Sequence, residues 1–163
     1  MIDEKTIEKC REGNRRAKRA LLKKYSQRMF ILCYRYLKNK EDAEEMVSDG
    51  FVKVFHSLRS FDYKDSKSLE AWIKRIMINE CLMFLRKRKI TFLQESVAVN
   101  VESMNRTDNE LDAGETYDLL LSLPVGYRTI FNLYAIEGYS HKEISKLLSI
   151  SEGTSRSQLA KAR

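Results

Sequence analysis

The sequence predicts an all-α protein of two small helical domains joined by a flexible linker, and three observations predict it. Proline occurs once, at Pro124, and glycine six times in 163 residues, so helix breakers are scarce. Apolar residues recur at spacings of three and four through most of the chain, which is the period of a helix with one buried stripe. From residue 91 to 114, TFLQESVAVNVESMNRTDNELDAG, that period lapses into Ser, Asn, Asp and Glu, as in a tether between modules. The expected division is therefore 1–90, an acidic linker over 91–114, and 115–163.

Charge follows the same division. The net +7 splits into 23 Lys and Arg against 13 Asp and Glu in residues 1–90, 1 against 7 in 91–118, and 6 against 3 in 119–163. Two basic modules around an acidic connector suit a polyanion that touches both ends and not the middle. Nucleic acid fits better than membrane. There is no basic amphipathic anchor with Trp or Phe beside its lysines, and no apolar run long enough to cross a bilayer. The opening MIDEKTIEKCREG lacks the basic-then-apolar order of a signal peptide, so a cytoplasmic protein without membrane insertion is expected. Cys10, Cys33 and Cys81 are odd in number and widely spaced, with only His56 and His141 as possible partners; neither a zinc site nor a disulfide framework is expected.

Taken in order, a short helix over Thr6 to Glu12 is stopped by Gly13, and Asn14 caps the next. Ala17, Leu21, Tyr25, Met29, Leu32 and Tyr36 form the buried stripe of that long helix. Its other face, Arg15, Arg16, Lys18, Arg19, Lys23, Lys24 and Arg28, reads as solvated surface in preference to a DNA contact. Asn39 opens a third helix, with Glu41, Asp42, Glu44 and Glu45 in its first turns, where the helix dipole favours carboxylates. Ala43, Met46, Val47, Phe51, Val54, Phe55 and Leu58 are its stripe. Two readings of these acids stand. They cap and solubilise the helix, or they mark a patch that receives a basic protein and repels DNA.

The stretch SFDYKDSKS, 60–68, is a polar loop with two aromatics, and Ser68 is placed to cap the helix LEAWIKRIMINECLMFLRKRK. Leu69, Trp72, Ile73, Ile76, Met77 and Phe84 suit its core face, while Lys74, Arg75 and Asn79 project from another and Arg86 to Lys89 close it with charge. An aromatic-bearing loop beside a basic helix can hold unstacked bases, since rings stack on them and cations follow the backbone. Beyond the linker a weak helix spans Glu115 to Ser122. Pro124 fits the first turn of the next, whose stripe is Tyr127, Ile130, Phe131 and Tyr134 and which Gly138 ends.

Ser140 with Glu143 forms a capping box, and Ile144, Leu147 and Leu148 give one apolar face. Ser149, Ile150 and Ser151 break the run before a second helix opens at Glu152 with Ser151 as its N-cap, Ile150 filling the gap and Leu159 facing back. The outward positions are Thr154, Arg156, Ser157, Gln158, Lys161 and Arg163, all polar and none acidic. Such a helix suits a DNA major groove, where these side chains reach base edges and phosphates. The plain alternative is a helical hairpin with a solvated basic face.

The order of these features resembles a sigma-70 family transcription initiation factor of the small extracytoplasmic-function (ECF) type. DAEEMVSDGFVKVF (42–55) resembles the family's polymerase-binding helix, SLEAWIKRIMINECLMFLRKRK (68–89) its promoter-melting and minus-10-reading segment, and LSLPVGYRTIFNLYAIEGYSHKEISKLLSISEGTSRSQLAKAR (121–163) its minus-35-reading domain. The resemblance implies a sigma domain 2 bundle over 1–90 and a helix-turn-helix sigma domain 4 over 115–163. It implies that Asp42, Glu45, Ser48, Asp49 and Phe51 dock on core RNA polymerase. It implies that Phe61, Asp62, Tyr63, Lys64 and Lys67 hold a flipped minus-10 base, with Lys74, Arg75 and Asn79 on the opened strand. The minus-35 duplex falls to Thr154, Arg156, Ser157, Gln158, Lys161 and Arg163. Implied partners are core RNA polymerase and promoter DNA, with an anti-sigma factor as a further one; no catalytic residue, metal or cofactor is implied, and strand opening draws on binding in place of nucleotide hydrolysis. Two positions depart from the family's pattern. Ser149 stands where glycine is common in the turn, so it must take up a less comfortable backbone, and Ser155 replaces a branched apolar residue, which weakens the packing of its helix. A stand-alone helix-turn-helix regulator is the alternative, and it has no use for the acidic helix at 42–55. An enzyme acting on nucleic acid would need a carboxylate or histidine cluster that the sequence lacks.

Overall fold

The computed structural model describes residues 1–88 and 113–162, and for residues 113–116 the backbone alone. The chain divides into two compact units, Met1–Phe84 and Leu85–Arg163. Among the described residues there is no strand, and no helix is long and apolar enough to cross a membrane.

The first unit holds α1 (Glu4–Arg11), α2 (Arg15–Leu37), α3 (Lys40–Ser57) and all but the last three residues of α4 (Ser66–Lys87). Each start is set by a side chain that accepts an orphan backbone amide. Asp3 accepts from Thr6 N at 2.9 Å, Asn14 from Ala17 N at 3.0 Å and Asn39 from Asp42 N at 2.9 Å. The fourth differs from the sequence expectation: Asp65, not Ser68, caps α4. Its carboxylate accepts from Ser68 N at 2.7 Å, while Ser68 Oγ accepts from Asp65 N at 3.2 Å. Ser68 thus occupies the third helical position of a reciprocal cap, and the helix gains a turn at its start. α1 likewise begins two residues before the expected Thr6 because Asp3 supplies the cap.

The expected stripe of α2 is buried at every position, and Lys38 (φ 52) with Asn39 folds α3 back against it. From α3, Ala43, Met46, Phe51, Val54 and Leu58 enter the core, and Val47 and Phe55 lie at its margin. From α4, Leu69, Ile73, Met77, Ile78, Cys81, Leu82 and Leu85 are buried, whereas Trp72, Ile76 and Phe84 are half-buried. Gly50 lets α4 come close, since a Cβ there would fall on Met77 Sδ. All three cysteines are buried free thiols; the neighbouring Cys33 and burial hold the Cys81 thiol well above the usual thiol range.

The second unit holds α5 (Ala113–Ser122), α6 (Val125–Phe131), α7 (His141–Leu148) and α8 (Glu152–Ala162). α5 starts at Ala113, so the last two residues of the expected linker are helical; the rest of the linker, 91–112, lies outside the described residues, as do Lys89 and Arg163. Pro124 stands at the N-cap of α6, one place before the expected first turn. α6 runs on into a wider π-type turn, Asn132–Ile136, and Gly138 (φ +78) then reverses the chain into α7. α6 and α7 both pack on α8. Arg128 is buried, donates to the Leu123 carbonyl at 3.0 Å, and has its pKa drawn below the usual guanidinium range by burial.

Candidate nucleic-acid and protein interfaces

α7, the residues Ser149, Ile150 and Ser151, and α8 form the helix-turn-helix that the sequence predicts. The capping box is complete: Glu143 N donates to Ser140 Oγ at 3.2 Å and Ser140 N to Glu143 Oε2 at 2.8 Å. Ser149 takes the left-handed conformation (φ 54, ψ 45) expected of it. Ile150 is buried between the helices, and Ser151 Oγ accepts from Thr154 N at 3.0 Å to open α8.

From α8, Ser155, Leu159 and Ala162 face the core at helical spacing. Ser155 adds a polar group to this face, but not an unpartnered one. Its hydroxyl, fully buried, meets His141 Nδ1 at 2.8 Å, and the His141 ring stacks on Tyr134 at 4.4 Å between centroids. A buried polar atom is thereby satisfied and the first residue of α7 is tied to α8.

The outward face of α8 differs from the expected one at two positions. Gln158 is 4% exposed and belongs to the interior, because it borders the inward row of Ser155 and Ala162. Thr154 is half-buried and shares its hydroxyl with Ser151 at 2.8 Å. Arg156, Ser157, Ala160 and Lys161 are exposed, as is Glu152, whose carboxylate lies 3.5 Å from Arg156. The distance and exposure make that ion pair weak and easily exchanged for a phosphate or a base.

In the first unit, α3 presents Glu41, Glu44, Glu45, Ser48 and Asp49 to solvent, with Asp42 partly covered. Among the described residues neither Glu45 nor Asp49 has a hydrogen-bond or ion-pair partner. Val52, one turn on, is 53% exposed. Phe51, implied as a docking residue, is 3% exposed and serves the core, with its ring 6.2 Å from that of Phe55. At the far end of α3, Lys53 pairs with the buried Glu80 of α4.

The loop between α3 and α4 alternates. Phe61 and Tyr63 are half-buried, and Asp62, Lys64 and Lys67 are exposed. The Phe61 ring lies on Trp72 with centroids 4.3 Å apart and planes 20° from parallel, so one of its two faces is occupied within the protein. Tyr63 donates its hydroxyl to the Ile2 carbonyl at 3.2 Å. On α4, Arg75 and Asn79 are exposed and Lys74 is half-buried, 3.6 Å from Glu70. Glu70 also receives Arg28 of α2 at 3.1 Å, and Lys18 lies over the Phe55 ring at 5.4 Å. Among the described residues no group of three or more His, Cys, Asp or Glu is placed to hold a metal ion.

Comparison with known proteins bears on both units. Residues 21–90 match the family description "Sigma-70 region 2" and residues 113–163 match "Sigma-70, region 4". The ECF RNA polymerase sigma-E factor of Haemophilus influenzae is 24% identical over all of this chain and 92% of its own length. The ECF RNA polymerase sigma factor SigW of Bacillus subtilis is 27% identical over all of this chain and 94% of its own. The Bartonella quintana sigma factor RpoE, solved in complex with the anti-sigma factor NepR, shares the fold with a TM-score of 0.52 and 22% identity, over 89% of this chain and 91% of that one. With the stretch from within α2 to the end of α4 carrying one region and α5–α8 the other, in that order, the chain belongs to the sigma-70 family of RNA polymerase sigma factors, of the ECF type, and directs transcription initiation.

Proposed function

We propose that the exposed side of α3 docks on core RNA polymerase, that the first unit then captures the melted minus-10 strand, and that the second unit reads the minus-35 duplex. The observation that carries this reading is the row Glu41, Glu45 and Asp49. Like charges at i, i+4 destabilise a helix by about 0.2–0.5 kcal/mol per pair, and no described residue offsets the last two. A basic protein surface would complete the row, and the same carboxylates turn DNA away from this side. Val52 adds an apolar contact within the face.

On the DNA side the groups in reach are Asp62, Lys64, Lys67, Arg75 and Asn79 in the first unit and Arg156, Ser157 and Lys161 in the second. Phe61 and Tyr63 act by shaping the loop, and Gln158 by supporting α8. The chain works in the cytoplasm and is not an enzyme: strand opening is driven by binding, with no bond made or broken by its residues. An anti-sigma protein of the kind bound to the Bartonella quintana factor is a further partner.

The test is charge reversal on α3. Glu45→Lys with Asp49→Lys should abolish co-purification with core polymerase while leaving duplex binding by the second unit intact. Unchanged co-purification would refute docking through this row.

A further inference from the structure

α1 lies outside both the acidic face and the helix-turn-helix, yet α1 and the residues that lead into it share three hydrogen bonds with the α3–α4 connection, two from Arg11 and one at Ile2. Arg11 Nε donates to the Leu58 carbonyl at 3.1 Å, and Arg11 Nη2 donates to the Phe61 carbonyl at 2.5 Å. Tyr63 reaches back from the loop to the Ile2 carbonyl. Leu58 is the C-cap of α3, where carbonyls lack helical partners and the dipole favours a cation, so a guanidinium is well matched to the place. Its third nitrogen, Nη1, is held by Glu8 at 2.8 Å, which fixes the fork from within α1.

We propose that α1 is a positioning element for the loop, acting through Arg11. The two carbonyls it gathers stand at the end of α3 and at the residue whose ring stacks on Trp72. Fixing them, with Tyr63 anchored at Ile2, leaves Asp62 and Lys64 as the side chains turned to solvent. A loop ordered in advance loses less conformational freedom when a DNA strand settles on it. The role rests on reading this loop as the minus-10 contact.

Trp72 is the chain's one tryptophan and stacks on Phe61, so its fluorescence reports the loop whether or not DNA is bound. Full-length Arg11→Ala, Arg11→Lys and Tyr63→Phe are compared with the parent by acrylamide quenching of Trp72, and, with core polymerase, by binding to forked DNA carrying a single-stranded minus-10 element. Arg11→Ala should raise the quenching and weaken fork capture about tenfold, as expected from losing charged hydrogen bonds to two carbonyls. Polymerase co-purification should stay unchanged. Arg11→Lys keeps the charge without the fork and should recover only part of the loss. Tyr63→Phe, which removes a single hydroxyl, should move both readouts in the same direction by less. Unchanged quenching in Arg11→Ala overturns the proposal, as does raised quenching with undiminished fork capture, or full recovery by lysine. A parent chain that binds polymerase but no forked DNA overturns the reading of the loop, and with it the positioning role, while the quenching still states whether Arg11 holds the loop.

Discussion

Replacing Ser149 with glycine should stabilise the second unit. Ser149 ends α7 with φ 54 and ψ 45, and its own N–H and that of Ile150 both return to the Ser145 carbonyl, the latter at 3.1 Å. The left-handed conformation costs an L-residue about 1–2 kcal/mol because Cβ crowds the following carbonyl. Glycine escapes that cost but loses about 0.5–1 kcal/mol more backbone entropy on folding. The Ser149 side chain is exposed and no hydrogen bond holds it among the described residues, so no further contact there is lost. The balance favours Ser149→Gly by about 0.5–1 kcal/mol, which for a unit of this size raises Tm by roughly 3–8 °C. Far-ultraviolet circular dichroism follows both units, whereas Trp72 fluorescence follows only the first. The expected result is a higher transition in the dichroism and an unmoved one in the fluorescence. Ser149→Val, β-branched, should move the same transition down. A glycine variant no more stable than its parent would refute the account of the turn.

Gly50→Ala sets a helix-propensity gain of about 1 kcal/mol against the overpacking of Met77, which costs about 1–3 kcal/mol. A net loss on the order of 1 kcal/mol is expected in urea unfolding followed by Trp72, and a raised midpoint would show that α3 and α4 do not need the glycine. Arg156→Ala should lower affinity for one minus-35 sequence by about 1–3 kcal/mol more than for random duplex, measured by anisotropy at fixed salt; equal losses would leave only a phosphate contact. Asp65 has its pKa lowered chiefly by the Ser68 backbone amide. Its cap is therefore fully present above the ordinary carboxylate value and is lost as pH falls through the lowered one. Asp65→Asn should make the acid-side fall in stability shallower, and an identical acid profile would count against the cap.

Periodicity and capping residues made most of this fold legible. The α2 stripe, the Asn14, Asn39 and Ser140 caps and the Gly13 and Gly138 stops stand where local rules put them, since each depends on neighbours within one turn. What escaped depended on choice or on distance. Asp65 and Ser68 could each cap α4, and only the folded backbone selects between them. The π-type turn after α6 has no signature in NLYAI. Gln158 reads as outward from its polarity, although an amide next to an inward row can fold in. Phe51 met the criteria for a core position and for a docking residue, and the core claims it. The bond between Ser155 and His141 spans fourteen residues, and those from Arg11 span 47 and 50, beyond the reach of any local pattern. The acidic row stands in the sequence itself, whereas the lack of a partner for Glu45 and Asp49 among the described residues depends on where distant cations fall in the fold.

The alternation along the α3–α4 loop also bears on how such a factor can change over time. Substitutions at Phe61 or Tyr63 disturb a stack or an anchor and so are tested first by folding. Asp62 and Lys64 are exposed and have no hydrogen bond or ion pair among the described residues, so under the proposed minus-10 role substitutions there meet selection through the strand the loop would hold. Preference for a new promoter can therefore arise one residue at a time on a frame that does not have to be rebuilt.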